Sequence, residues 1–483
     1  MADVVATLLS FPPENASTLS PKEYDKVIDG YLKKLVKLPS SVWTKPVGKQ
    51  NVLDLLNPAV NSIPYLAALT EQTRAVGRDT KKRQELLERA VIFCTSFDPV
   101  QVRYDGEQWT EVMNWTLAAL VAGDVPTVSP VTTAMLRLDP TAGTFTTLHL
   151  SLLRYSFEAG VPSQTLPILD KDIYAFPSSP TKNVPEELYS EQHELSNAFI
   201  TTKSGYGPKL QPEYVLEYYL LGAHVYIGLR DYDRARLFLE HNILHPSPHN
   251  ATSALQVDAY KKWLLIGLLS EGRTWPLPRT HNTSVMKSIR SLAKAYDTLA
   301  EDFEKREFRK MAAEMEVGAQ VWLDDGNMRL VKEVGDALLK YRVVDLQKTY
   351  AALPVSRVAN FLGFAADTTA HMLAEMIRSG NLQASISQSA APGDAILRFH
   401  PTSTILESDI DLEAQTRRIQ DLTTFVRDAD RRLQLTKEYV DVQRRAKRAG
   451  PENDMADQMD LTWDQPLPEL AGVEDGDEDI MAA

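Results

Sequence analysis

Residues 354–400 read PVSRVANFLGFAADTTAHMLAEMIRSGNLQASISQSAAPGDAILRFH, and this stretch decides how the chain ends its fold. Its first part predicts a short helix over 355–361 that stops at a glycine. A second helix is expected over 367–379, because Asp367 is a favourable N-cap residue and Gly380 a favourable stop. Two short helices in succession are therefore predicted here.

A β-hairpin is expected after the two helices. The segment LQASI at 382–386 alternates apolar and polar residues at period two, and AILRFH at 395–400 alternates in the same way. The PGD sequence at 392–394 is a turn signal between them. The order helix, helix, hairpin predicts a winged-helix module.

The charge of this module indicates what it binds, since many winged helices bind DNA. It contains as many basic as acidic residues, namely Arg357, Arg378 and Arg398 against Asp367, Glu375 and Asp394. Affinity for nucleic acid comes largely from Lys and Arg that neutralise phosphates. Because this module has no net charge, we expect it to bind protein and not nucleic acid.

Two pairs of side chains are candidate protein contacts on the module. The second helix has a predicted buried face formed by Ala370, Leu373, Ala374 and Ile377. Met372 and Met376 lie off that face, so they are either partner contacts or adaptable core filling. On the returning strand, Ile396 and Arg398 share the face opposite to Leu397.

A long helix is predicted over 410–449. Its apolar residues recur every seven positions, at Leu412, Ile419, Val426, Leu433 and Val440. Leu422 and Ala429 occupy d-type positions between them, whereas Gln415 and Thr436 interrupt that series. A helix of this length measures ~60 Å, more than a compact domain covers. We therefore expect it to join a helical bundle in an assembly rather than to pack back on its own domain.

The net charge of −13 is concentrated at the end of the chain. Residues 451–483 contain eleven acidic residues and no Lys or Arg, whereas the other 450 residues have 54 acidic and 52 basic ones. A solvated, disordered tail is the simplest interpretation, and an acidic ligand for a basic groove is the alternative. The folded body is expected to be nearly neutral.

Cysteine content and hydropathy indicate the environment of the chain. Cys94 is the only cysteine, which excludes an intramolecular disulfide and suits a reducing compartment. No stretch approaches the ~18 apolar residues of a membrane span, and the first residues lack the basic region of a secretory signal. We expect a soluble protein of the cytoplasm and nucleus, without membrane contact.

Helical periodicity recurs through the first 340 residues. Early helices are predicted at 21–37, 80–95, 109–122 and 145–159, and later ones at 284–305 and 307–324. From residue 212 onward, small and aromatic residues alternate in helical hairpins like those of tetratricopeptide units, and Gly222 would allow a close helix contact. An irregular, proline-containing stretch at 176–212 is expected to link two parts of this array.

The predicted fold class is therefore mainly α. A TPR-like helical-repeat array (α-solenoid) precedes the winged-helix module, and a long C-terminal helix follows it. The expected divisions are listed in chain order: a helical-repeat array at 1–205, TPR-like helices at 206–340, the winged helix at 341–402, the C-terminal helix at 408–449 and the acidic tail at 450–483.

No catalytic or metal-binding motif is recognisable. His241, His245 and His249 have helical spacing, but the prolines at 246 and 248 end that helix, so they are not expected to share a metal. The sequence DDGN at 324–327 lacks the downstream glutamate of a calcium loop. No His-x-His pair, phosphate-binding loop or nucleophile elbow occurs. We predict a protein that is not an enzyme and needs no cofactor.

Helical hairpins followed by a neutral winged helix and a long helix resemble the PCI-domain scaffold proteins. The residues that carry the resemblance are YYLLGAHVYIGL at 218–229, DAYKKWLL at 258–265, NMRLVK at 327–332 and the run 346–358. The similarity covers roughly 210–400. Proteins of this family build the proteasome lid, the COP9 signalosome and translation initiation factor three, and the signalosome is the one most similar to this chain.

The resemblance implies a non-catalytic scaffold whose partners are other PCI and MPN-domain subunits of one complex. In the signalosome, such subunits dock through their winged helices and gather their C-terminal helices into one bundle. That complex removes a ubiquitin-like modifier from the cullins of cullin-RING ligases, with a zinc site in a different subunit. The alternatives are a subunit of the proteasome lid or of the initiation factor, and a winged-helix nucleic-acid adaptor of the mRNA-export type.

Overall fold

The computed structural model of the chain describes residues 2–13, 15–46, 50–77, 79–123, 126–177, 188–207, 210–246, 251–380, 382–388, 395–400 and 409–448. Two compact units are present, Met1–Pro401 and Thr402–Ala483. Helices dominate the described residues, and a three-stranded sheet occurs near the end of the first unit. The expected mainly α fold, a helical array followed by a winged helix, is confirmed.

The first part of the array consists of short and medium helices. They are α1 (Ala2–Leu9), α2 (Pro21–Val36), α3 (Ser40–Thr44), α4 (Val52–Leu55), α5 (Ser62–Ala75), α6 (Thr80–Ser96), α7 (Pro99–Val102), α8 (Gly106–Val121), α9 (Ser129–Leu138), α10 (Thr147–Glu158) and α11 (Leu166–Leu169). The four helices expected in this part correspond to α2, α6, α8 and α10. At the start of helix α2, the Glu23 carboxylate accepts from the N–H of Ser20 over 3.0 Å and from its hydroxyl over 2.7 Å, as the glutamate of a capping box does.

The second part of the array contains longer helices. They are α12 (Pro212–Leu229), α13 (Tyr232–Leu244), α14 (Ala254–Ser270), α15 (Thr283–Leu292), α16 (Lys294–Glu304), α17 (Phe308–Val317), α18 (Ala319–Asp324) and α19 (Met328–Gln347). The single helices predicted at 284–305 and 307–324 are each divided in two. At Ala293 the backbone leaves the helical region (φ −105°, ψ 18°). At Gly318 the Trp322 ring lies so close that a Cβ would approach its Cζ2 to 2.5 Å.

The close contact expected at Gly222 is present between α12 and α13. A Cβ at this position would lie 2.5 Å from Cε1 of Phe238, so only glycine lets the two helices approach this far. Phe238 in turn packs against the ring of Tyr226, with centroids 5.1 Å apart. Small and aromatic residues therefore interlock as they do in tetratricopeptide-like hairpins.

The segment between the two parts of the array is more than a connection. Within it, residues 188–207 pack against the first helices. The hydroxyl of Tyr206 donates to the carbonyl of Val102 over 2.7 Å, and its ring lies 5.6 Å from that of Trp109. Arg103 stacks 4.0 Å above the ring of Phe199. These contacts close the first core with residues about a hundred positions away along the chain.

Three clusters of buried side chains form the interior of the first unit. One lies among α1–α10, a second among α10–α19, and the third in the winged helix. Helix α10 takes part in two of them, because Leu148 and Leu152 face the first cluster whereas Leu150 and Leu153 face the second. The first two cores are thus joined through a shared helix.

The winged helix consists of β1 (Ala352–Pro354), α20 (Val355–Leu362), α21 (Ala366–Arg378), β2 (Ala384–Gln388) and β3 (Ala395–Phe399). The strands form an antiparallel sheet in the order β1-β3-β2. The short strand β1 was absent from the sequence prediction, since three residues give no alternating pattern. The predicted turn at 392–394 lies outside the described residues.

The start of α21 differs from the prediction. Ala365 occupies the N-cap position and its carbonyl accepts from the N–H of Thr369 over 3.0 Å. Asp367 lies in the first turn of the helix instead of capping it. Acidic residues are favourable there as well, because they face the positive end of the helix dipole. Gly380 follows the helix with φ 73°, which agrees with its predicted role as a stop.

The second unit contains two helices, α22 (Asp409–Leu435) and α23 (Lys437–Arg448), where a single helix was predicted. Thr436 divides them. Its N–H and hydroxyl both donate to the carbonyl of Leu433, and its hydroxyl accepts from the N–H of Tyr439. A threonine side chain that bonds to the backbone competes with the regular helical pattern. The predicted acidic tail at 450–483 lies outside the described residues.

Candidate protein-interaction surfaces

The buried face of α21 is formed by Thr369, Leu373 and Met376, which pack with Leu397 into the third core. Met376 is only 7% exposed, so the interpretation that placed it off the buried face is wrong, and it acts as core filling. Ala374, predicted to be buried, is exposed. The helix is rotated relative to the prediction because Thr369 can be buried.

Three side chains lie at the edge of the buried face, namely Ala370 and Ile377, which were predicted to lie on it, and Met372, which was predicted to lie off it. Met372, Ala370 and Ile377 are half-buried and pack against the third core. Met372 therefore contacts the core and also presents part of its surface. It stays a candidate contact residue, whereas Met376 has no accessible surface of useful size.

Strand β3 lies in the middle of the sheet. Arg398 is paired with Ala352 of β1 and with Ser385 of β2, and Ile396 is paired with Pro354 and Ser387. The backbone groups of β3 are therefore engaged on both sides, and only its side chains are available to a partner. Arg398 is exposed and Ile396 is half-buried, so both stay candidate contact residues.

Helix α19 connects the array to the winged helix. It buries Val331 and Leu338 in the second core and Val343 in the third. Arg342 donates to the carbonyl of Phe361 over 2.9 Å, and its guanidinium lies 4.8 Å from the centroid of that ring. These contacts fix the position of the winged helix on the array.

Two arginines hold α19 against the neighbouring helical turns. Arg230 forms a bidentate ion pair with Glu333, with distances of 2.5 and 2.9 Å. Arg306 donates to Asp345 over 2.8 Å. Both arginines have positive φ values, 65° and 59°, where an ordinary side chain is uncommon. Nothing in the sequence indicates this pair, because the partners are separated by 39 residues or more.

An aromatic surface at the junction was also missed by the sequence prediction. Phe361 is 50% exposed and Phe364 is 40% exposed, and the Phe364 ring lies 6.5 Å from that of Phe308 on α17. Phe361 lies off the buried face of α20, which is formed by Val355, Val358, Ala359 and Leu362. Exposed aromatic residues beside an arginine are frequent in protein interfaces.

An apolar stripe of exposed side chains runs along α22. Ile419, Leu422, Val426 and Leu433 are all more than half exposed, in agreement with the heptad pattern. Phe425, which the heptad did not include, is 51% exposed and extends the stripe at the position next to Val426. We name these five residues the α22 stripe.

Two members of the predicted heptad lie outside this stripe. The side chain of Leu412 is outside the described residues, although its backbone belongs to α22. Val440 is half-buried and lies on α23, beyond the break at Thr436. Because a break interrupts the helical register, the seven-residue spacing does not extend the same face from Leu433 to Val440.

Among the described residues, no three His, Cys, Asp or Glu side chains are grouped to hold a metal ion, and no helix is long and apolar enough to cross a membrane. Complete burial raises the pKa of Cys94 to about 12, and its sulfur contacts that of Met113 at 3.7 Å. Burial lowers the pKa values of His241 and His245, and His249 lies outside the described residues.

The segment 324–327 makes hydrogen bonds to two neighbouring helices. The Asp325 carboxylate accepts from Lys261 over 2.7 Å and from the hydroxyl of Tyr296 over 2.8 Å. Asn327 also donates to that hydroxyl, over 2.9 Å. The segments at 258–265 and 327–332, which carry the family resemblance, are therefore neighbours in the fold.

Comparisons with known proteins agree with this arrangement. Residues 30–286 match the family model described as COP9 signalosome complex subunit 3, N-terminal helical repeats, and residues 315–395 match the PCI domain. The chain is similar to the COP9 signalosome complex subunit 3 of Emericella nidulans, with 32% identity over 420 residues that cover 83% of each chain. The proteins of that name from Neurospora crassa and Drosophila melanogaster are each 24% identical, over 90% and 70% of this chain and 90% and 73% of their own.

Proposed function

Because the chain belongs to the COP9 signalosome subunit 3 family, we propose that it acts as a non-catalytic scaffold within that complex. The observation that carries this proposal is the α22 stripe. Monomeric proteins rarely leave a continuous apolar stripe in water, and such a stripe normally marks a contact with another protein. A helical bundle would bury it.

The winged helix supplies a second surface for the same role. Its exposed charges are mixed, with Arg357, Arg378 and Arg398 set among Asp367 and Glu375. A mixed surface suits complementary docking to another protein and gives little attraction to phosphates. We assign docking with other PCI and MPN-domain subunits to the exposed Arg398 and to the accessible parts of the half-buried Met372 and Ile396.

The reaction of such a complex would take place in another subunit. Removal of a ubiquitin-like modifier from the cullins of cullin-RING ligases is the activity that the family implies. The membership of the subunit 3 family and the PCI domain support a structural role in that reaction. We place the protein in the cytoplasm and nucleus, for which a single reduced cysteine is suitable.

Native co-purification of the full chain, followed by native mass spectrometry, tests this function. We expect a stable assembly that contains other PCI subunits together with MPN-domain subunits and that cleaves a modified cullin. Recovery of proteasome-lid or initiation-factor subunits would assign the chain to one of those complexes instead. Recovery of no PCI or MPN-domain protein would contradict the proposal.

A further inference from the structure

A small cavity lies where α8, the turn before α10 and residues 200–206 meet. Its volume is about 20 Å3, and its polar lining comes from Trp109, Asp139, Thr146, His149 and Tyr206. Trp109 and His149 are 2% and 4% exposed, so this lining lies in the interior of the array. The cavity is adjacent to α10, the helix shared by the first two cores.

The proton on the His149 ring can be assigned from its hydrogen bonds. The N–H of Thr146 donates to Nδ1 of His149 over 3.1 Å. A ring nitrogen that accepts from an N–H carries no proton, so the neutral ring has its proton on Nε2. The ring is neutral at ordinary pH, because complete burial lowers its pKa to about 4. His149 is therefore a donor through Nε2.

Two donors of this cavity make no hydrogen bond of regular geometry with the described residues. Nε1 of Trp109 and Nε2 of His149 are both buried, and both side chains line the cavity. The backbone of Ala142 lies near the His149 ring, without forming a regular bond to Nε2. A buried donor without an acceptor costs free energy, so native proteins satisfy nearly all of them. Two such donors in the lining of one cavity favour an acceptor bound inside it.

The carboxylate of Asp139 completes the polar surroundings. Its Oδ1 accepts from the N–H and hydroxyl of Thr141, and its Oδ2 accepts from the N–H of Gly143 over 3.2 Å. Each carboxylate oxygen has two lone pairs, so Oδ2 can accept a further bond. A negative charge here disfavours an anion in the cavity, and the two N–H donors disfavour a cation.

We propose that this cavity binds one internal water molecule, which accepts from Trp109 and His149 and donates to Asp139. A water needs about 10–15 Å3 and two to four polar partners, and both conditions are met. The water bridges α8, the turn after α9 and the first turn of α10. It thereby fixes the place where the first core meets the second.

A crystal structure of the full chain, at a resolution that shows ordered water, tests the site directly. We expect an oxygen peak within hydrogen-bond distance of Nε1 of Trp109, Nε2 of His149 and a carboxylate oxygen of Asp139. A dry cavity, or a protein acceptor in contact with Nε1 of Trp109, would overturn the proposal.

Indole labelling with 15N gives a second measurement in solution. The Trp109 N–H should show a cross-peak to a long-lived water, whereas Trp322, whose Nε1 donates to the carbonyl of Met315 over 3.2 Å, should show none. The same response from both indoles would count against a specific site. This comparison needs only the unmodified protein.

The matched variants are Trp109→Phe and Trp322→Phe, which each remove an indole N–H from a buried position. We expect the water peak to be lost in the first and fully retained in the second. Full retention of the water in Trp109→Phe would show that the indole does not hold it. If Trp109→Phe does not fold, the crystal structure and the 15N measurement of the unmodified chain still show whether the cavity holds a water.

Discussion

At the scale of single residues, His149 illustrates how burial sets both structure and pH response. Burial lowers its pKa from 6.5 to about 4, and the nearby Asp139 only partly offsets this effect. Between pH 6.5 and about pH 4, this histidine therefore binds a proton in the unfolded chain but not in the folded protein. Stability should be fully present above about pH 6.5 and should fall as the pH approaches 4, by about 3 kcal/mol in total.

The variant His149→Gln tests this pH response. Glutamine at the third position of a helix can keep the bond to the Thr146 N–H, but it does not titrate. Between pH 7 and pH 4.5 we expect the free energy of unfolding to fall by about 2–3 kcal/mol more in the natural protein than in the variant. Urea denaturation at several pH values measures this difference. Equal pH dependence in both proteins would contradict the assignment.

The residues of α21 show what a sequence pattern can and cannot decide. The helix itself and its burial of Leu373 were predicted correctly. Its rotation was not, because the pattern treated Thr369 as polar and therefore exposed. In the fold, the hydroxyl of Thr369 donates to the carbonyl of Ala365 over 2.9 Å, so the side chain can be buried, and Met376 is buried with it.

At the scale of elements, the α22 stripe should determine assembly. The double variant Ile419→Asp with Val426→Asp places two charges on the stripe and should abolish recovery of partner subunits, because buried unpaired charges are strongly unfavourable. The first unit should stay folded, since residues Met1–Pro401 form a compact unit of their own. Co-purification and the thermal unfolding midpoint measure the two effects.

The matched control for this variant is Gln420→Asp with Thr424→Asp. These positions are exposed on the same helix and outside the stripe, and the substitutions add the same charge. We expect the control to assemble as the natural chain does. Assembly of both variants, or failure of both, would refute a specific role for the stripe.

The C-terminal helix also shows the limits of a periodic pattern. Five apolar positions at seven-residue spacing predicted a continuous seam, and its first part is present in α22. The pattern does not register a local backbone bond, so it missed the break at Thr436. It also missed Phe425, because a heptad seam counts only two positions in every seven residues, whereas the apolar face of a single helix can be wider.

At the scale of the whole molecule, the order of the parts was predictable and their contacts were not. Helical periodicity predicted the array. The succession of two helices and two strands predicted the winged helix. Long-range contacts such as that of Tyr206 with Val102, 104 residues apart, have no local signal. The ion pair of Arg230 with Glu333 has no local signal either. Because the contacts of Tyr206 could not be seen in the sequence, the stretch at 176–212 was predicted to be only a connection, whereas residues 188–207 belong to the first core.

A shortened chain tests the division of the molecule into two units. Residues 1–401 alone should unfold at the same temperature as the full chain, because the first unit contains its own three cores. This chain should no longer recover its partner subunits. A chain that ends at residue 449 keeps both C-terminal helices and should recover them. A clearly lower unfolding temperature for 1–401 would show that the units depend on each other.

The double membership of α19 limits how this protein can be recombined with its relatives. If the winged helix is replaced by that of a relative, position 343 must come from the relative, because its side chain packs in the core of the winged helix. Positions 331 and 338 must stay as they are in this chain, because their side chains pack in the core of the array. A junction placed after Gln347 would leave Val343 facing a foreign core. The workable exchange point is inside α19, between Leu338 and Val343, where one helical turn separates the two sets of neighbours.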